Sequence, residues 1–270
     1  MSPSTVADEP ATAASFEVYQ VLPRQSLFRR FLTTQRHLFG LVFGALSVDV
    51  EQRKGTPRGR GLGFLLLRIL NAFTRPFLDR SLRDLPFPVQ LRRRLERLGP
   101  TYIKLGQILS LREDILPKSI TQELKHLLAS LPAVPFPVLC ELITRDLGRP
   151  LDDMFLAIDE VPLGSASIGQ VHRATTRDGD PVIIKVVKPG IPAILRRDAK
   201  LLALAGWTLE LVFPQYGPRR IIREFADYTL REVDLRREAD NAETFAANFA
   251  DEPDIVFPAI YREFSGERVL

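Results

Sequence analysis

Apolar residues recur with a period near 3.6 along most of the first 150 positions, and then the pattern changes. The spacing predicts helices over about 23–50 and 61–85, with a glycine-rich basic loop at 53–63 between them. Another helix starts near Pro88 and stops at Gly99-Pro100. The next takes Thr101 as its N-cap and runs to about Arg112. Helices over 117–131 and 135–147 each enter at a proline, and Gly148 closes the second with a left-handed residue. From about Ile158 the period shortens to two. Segments 168–174 and 182–187 are short, rich in β-branched residues and joined through Asp178-Gly179, which predicts a hairpin. Two long helices are expected next, over 191–212 and 218–249. Segments 255–258 and 268–270 read as further short strands, and the first 17 residues read as a disordered leader.

Charge adds an asymmetry to this layout. The chain carries +4 overall, yet residues 22–98 hold 16 Lys and Arg against 5 Asp and Glu. The first 21 residues contain three acids (Asp8, Glu9, Glu17) and no base. A basic arm on a mildly acidic body points to an anionic partner: a membrane surface, a nucleic acid or the body itself. Nucleic acid is disfavoured, because the arm lacks aromatic-interleaved strands, zinc spacing and a recognition-helix pattern. The single cysteine, Cys140, rules out an intrachain disulfide and suits a reducing cytosol. Three scattered histidines (His37, His126, His172) argue against a zinc site. The start of the chain lacks the basic region of a secretory signal. The best apolar runs, 38–48 and 62–73, fall short of the roughly 20 residues that span a bilayer, and Arg68 interrupts the second. The expected location is the cytoplasm, with peripheral membrane attachment open.

Candidate chemistry begins at the hairpin. Residues 162–172 open it with small side chains (Gly164, Ser165, Ala166, Ser167, Gly169), and such a turn lets backbone N–H groups approach phosphate oxygens. A small-residue turn before a strand is more often only a turn. The second strand then sets Lys185 in the middle of an apolar run. A buried ammonium needs an anionic partner, whereas an edge-strand lysine would reach solvent along its own stem. The 218–249 helix offers the partner. Its apolar stripe (Ile221, Phe225, Tyr228, Leu235, Ala239, Ala242) has one gap, filled by Glu232, and Glu238 lies beside the stripe. Periodicity leaves open which carboxylate meets Lys185.

Several segments together resemble the UbiB/AarF (ADCK-type) atypical kinases. Lys104-Leu105-Gly106-Gln107 looks like that family's KxGQ motif, and the loop at 163–170 is similar to its alanine-rich loop. Residues 182–190 resemble its lysine strand, Glu232-Val233-Asp234 its ExD motif, and 237–241 its αC helix. The resemblance covers about residues 90–270. It implies an α+β fold: a mainly helical N-terminal extension packed on a kinase-like N-lobe, with a small antiparallel sheet and a long αC-type helix. The division expected is a leader (1–20), a basic helical arm (21–98), a KxGQ extension (99–157) and an N-lobe (158–270).

The resemblance also implies roles. Lys185 would hold the α- and β-phosphates of ATP, with Glu238 orienting it. Ala166, Ser167, Ile168 and Gly169 would line the nucleotide. Lys104, Gly106 and Gln107 would belong to a helix that folds over the covered site formed with Glu232 and Asp234. ATPase activity, isoprenoid-quinone (ubiquinone) biosynthesis, quinone-pathway proteins and membrane lipids follow as expectations. The loop departs from the ubiquinone-type Ala-Ala-Ala-Ser, reading Gly164-Ser165-Ala166-Ser167. No catalytic-loop Asp with its Asn and no Asp-Phe-Gly occurs in these 270 residues. Mg²⁺ is therefore expected only with a missing C-lobe, no catalytic or metal set is complete here, and the chain reads as truncated and not itself a competent kinase. The alternative reading is a non-catalytic nucleotide- or membrane-binding module.

Overall fold

The computed structural model describes residues 26–53, 61–114, 116–128, 133–212 and 214–270. The expected leader and most of the basic loop lie outside these. Two compact units are present, one within Gln25–Ala129 and one within Ser130–Leu270.

The first unit is helical: α1 (Leu27–Arg53), α2 (Leu62–Thr74), α3 (Phe87–Leu98), α4 (Pro100–Ser110) and α5 (Lys118–Lys125). Proline lies in the first turn of α3 and α4, where its fixed φ suits N–H groups that have no helical partner, and Pro117 precedes α5 as its N-cap. Gly99, at φ 90°, turns the chain between α3 and α4, so Thr101 lies inside α4 instead of capping it. The helix expected over 61–85 ends at Thr74, where Arg75–Phe77 tightens into a 3₁₀ turn around Pro76. Leu95, Leu98, Tyr102, Leu124 and Leu127 are all buried and form the unit's interior.

The second unit comprises α6 (Phe136–Leu147), strands β1 (Phe155–Ile158), β2 (Gly164–Ser165), β3 (Gly169–Thr176) and β4 (Pro181–Val187), then α7 (Ile191–Val212), α8 (Pro218–Arg231) and α9 (Leu235–Asn248). It is an α+β arrangement with a small antiparallel sheet. Strand β3 pairs with β1, β2 and β4, and the β3–β4 hairpin turns at Gly179, whose φ of 93° favours glycine. Helix α6 covers one face of the sheet: Leu139, Leu142 and Ile143 pack on Met154, Phe155, Ala174, Ile184 and Val186. Each such buried aliphatic or aromatic side chain contributes about 1.5–3 kcal/mol. A second cluster joins Val187 to Ile191, Ile194 and Leu195 of α7 and to Val233 and Leu235.

Two further expectations fail in this unit. The single helix over 218–249 is broken at 232–234. Val233 is buried there, Asp234 is extended (φ −107°, ψ 93°), and the Leu235 N–H leaves the helical ladder for the Glu267 carbonyl at 2.8 Å. Segment 255–258 is not a strand; Phe257 instead packs its ring on Phe245 and Phe249 of α9. Segment 268–270 does lie along β4, through a Val186–Val269 bridge and two backbone bonds between Lys185 and Leu270. Strand β4 is thereby hydrogen-bonded on both sides.

Candidate functional site

Lys185 sits in the middle of β4, opposite Val171 of β3. Successive strand residues face opposite sides, so Ile183 shares its face while Ile184 and Val186 point into the core. The ammonium is not buried: its side chain is 39% exposed. Nζ donates to both carboxylate oxygens of Glu238, at 2.6 and 2.5 Å. Glu238 occupies the first turn of α9, three residues past the helix break. The pair borders a cleft of about 570 Å³ lined also by Val171, Ile183, Tyr261 and Leu270.

Glu232 and Asp234 do not reach Lys185. With the helix broken, Glu232 is not on a continuous buried stripe; it is half-buried at the end of α8. Its hydrogen bond to Tyr228 raises that phenol's pKa. Asp234 accepts from Arg236 Nε and Nη2 at 2.8 and 3.0 Å, which holds its carboxyl below the usual range.

The small-residue loop is the tip of a β2–β3 hairpin, closed by an Ala166 N–H bond to the Gly169 carbonyl at 2.8 Å. Gly169 has a steric reason to be glycine. A Cβ there would lie 2.9 Å from the Val186 carbonyl oxygen. Ser167 is buried, Ile168 leans on the α7 cluster and Ala166 is exposed. Behind the tip, Gln170 Oε1 accepts from the Val134 N–H at 2.8 Å. His172 Nδ1 donates to the Asp159 carbonyl at 2.7 Å, leaving Nε2 to accept from the Gln170 amide at 2.9 Å.

One residue here had no place in the sequence expectations. Lys188, fully buried, donates Nζ to the Ala166 carbonyl at 2.7 Å and its own N–H to the Ile168 carbonyl at 2.8 Å. Burial pushes its ammonium down to about 8. The available signal was its position just before Pro189-Gly190, where the strand must end. Asp198 of α7, also fully buried, was equally silent in the sequence.

Lys104, Gly106 and Gln107 lie on α4, in the helical unit. Gly106 is needed for packing, since a Cβ would meet Leu127 Cδ1 at 2.3 Å and Leu95 Cδ1 at 2.9 Å. The Gln107 amide donates to the Leu127 carbonyl at 2.8 Å, and Lys104 is half-buried.

Comparison with known proteins adds the lineage. Residues 126–270 match the model of the ABC1 atypical kinase-like domain. The chain is 37% identical over 210 residues to "Probable protein kinase UbiB" of Marinobacter nauticus, covering 77% of this chain and 37% of that one. It is 36% identical over 214 residues to the protein of the same name in Azotobacter vinelandii, covering 78% and 38%. It thus spans little more than a third of the length of these curated relatives. Among solved structures, the Rv3197–erythromycin complex from Mycobacterium tuberculosis aligns with a TM-score of 0.42 and 27% identity, over 77% of this chain and 50% of that one. With a family model matched over more than half of its length, the chain belongs to the ABC1 atypical kinase-like family, the family of the UbiB proteins.

Proposed function

We propose that the sheet-containing unit is the ATP-binding part of a UbiB-type atypical kinase or ATPase, serving isoprenoid-quinone biosynthesis as the resemblance to the UbiB/AarF kinases implies. The observation that carries this reading is the Lys185–Glu238 pair at the edge of an open cleft. An exposed ion pair contributes only about 0–1 kcal/mol to stability, so folding alone gives little reason for it. Held by Glu238, the ammonium is pre-oriented to meet the phosphates of a nucleotide. Val171 and the 55% exposed Ile183 supply an apolar floor for a purine on the same face. Ala166, Ser167, Ile168 and Gly169 form the loop over the phosphates, with Lys188 beneath it. Among the described residues no group of three or more acidic, His or Cys side chains is arranged to hold a metal. Calorimetric titration of the chain with ATP tests the reading. Saturable binding that disappears in Lys185→Met supports it, and equal affinity in that variant removes it.

A second reading, docking on an anionic membrane, is favoured by α2. Leu62, Leu65, Leu66, Ile69, Leu70 and Phe73 form one helical stripe and are 41–73% exposed, while Asn71 and Thr74 on the other face are buried. A helix with its apolar face outward, on a basic arm, suits a headgroup layer. No helix among the described residues is long and apolar enough to cross a membrane. Co-sedimentation with anionic vesicles checks this. Binding abolished by Leu66→Glu is the expected result, and none at low salt would dismiss it.

A further inference from the structure

The helical unit contains a buried cation that no carboxylate among the described residues contacts directly. Arg94 of α3 is 2% exposed, and its Nε and Nη2 are buried with no hydrogen-bond partner. Its guanidinium lies flat on α1 at Gly40, where an added Cβ would come within 2.1 Å of Nη1. His37, one turn earlier on α1, also has a buried and unpartnered Nδ1. The surrounding charge makes the imbalance worse. Arg36 and Arg97 act on both His37 and Arg94, and Asp79, the carboxylate that acts on both among the described residues, is held by Arg97 Nη1 at 2.5 Å and by Ser81. Burial and these three arginines push His37 down to about 4.

An arginine in a protein stays protonated, and an uncompensated buried charge costs several kcal/mol. Three guanidinium groups against one occupied carboxylate leave an unmet demand for negative charge. Arg36 and the 41% exposed Arg97 open to solvent, and both act electrostatically on buried Arg94.

We propose that Arg94, together with the exposed Arg36 and Arg97 and with His37, is a binding site for a phosphate-type anion, either a free phosphate or the headgroup of an acidic lipid. The guanidinium fork suits this ligand, because it offers parallel N–H donors to two oxygens of a tetrahedral anion. The site is independent of the nucleotide reading, since it uses none of the residues around Lys185.

The experiment is thermal denaturation of the full 270-residue chain with inorganic phosphate titrated against chloride at matched ionic strength. Phosphate should raise the wild-type midpoint. Arg94→Met should melt higher than wild type in chloride, its unpaired charge gone, and should show no phosphate response. Arg94→Lys, which keeps a charge without the fork, should need at least about tenfold more phosphate, and it carries the test if the methionine variant does not fold. Vesicles of phosphatidylcholine with and without phosphatidate separate the two sources. Arg94-dependent binding to phosphatidate that free phosphate competes away assigns the headgroup; a phosphate response without it assigns the free anion. No phosphate shift beyond the chloride control, or an equal shift in Arg94→Met, would overturn the proposal.

Discussion

The Lys185 ammonium bridges both carboxylate oxygens of Glu238, at 2.6 and 2.5 Å, from a strand to a helix 53 positions away. Both side chains are more than a third exposed, so solvent screens the pair and its contribution to folding is small. Lys185→Met is therefore expected to change stability by less than about 1 kcal/mol while lowering ATP affinity at least about tenfold, since it removes a charge-assisted contact. Denaturant midpoints and calorimetry on the same preparation read the two effects separately. Glu238→Gln should weaken ATP binding less, because it loosens the lysine without removing it.

Lys188 anchors the loop from beneath. Substitution by methionine removes the ammonium that holds the Ala166 carbonyl. Amide exchange at 166–169 should then accelerate, and ATP should bind more weakly through a less ordered loop. Unchanged exchange rates there would show that the hairpin needs no such tether.

Gly106 tests a packing argument. Alanine at this position drives a methyl group into Leu127 and Leu95, and overpacking of this kind costs about 1–3 kcal/mol. Urea denaturation measures the loss. Gly169→Ala should also destabilise the fold, because its obstacle is the Val186 carbonyl, a backbone atom that cannot rotate away.

His37 gives the fold a pH dependence of known sign. Its pKa is about 4 when folded against an ordinary 6.5, so between these values the unfolded chain binds the extra proton. Stability from this source is complete above about pH 6.5 and is lost as the pH falls towards about 4. Urea midpoints should fall through that window in the wild type and fall less in His37→Gln.

The features legible in the sequence were those whose cause is local. The β3–β4 hairpin shows through two-residue alternation and Asp178-Gly179, and Lys185 stands out by interrupting an apolar strand. Residues 191–212 read as one helix and form one. The break between α8 and α9 was hidden because no glycine or proline marks it. Glu232 fills the one gap in the helical stripe, and only long-range contacts, the burial of Val233 with α7 and the Leu235–Glu267 bond, turn the chain there. Segment 255–258 looked like a strand by composition, but Phe257 is taken up by the rings of α9. The tie from Lys188 to the Ala166 carbonyl is not legible because its acceptor is a backbone atom, which no sequence spells out.

The interruption at 232–234 makes α9 a rod separate from α8. Its first turn is fastened by buried Val233 and Leu235 and by the Glu267 carbonyl. Glu238 stands about 4.5 Å along the axis from Leu235, whereas Asn248 stands about 20 Å away. A swing that carried Asn248 through about 4 Å would shift Glu238 by only about 1 Å. The carboxylate that grips Lys185 thus sits close to the fastened end of the rod, where a given tilt displaces it least.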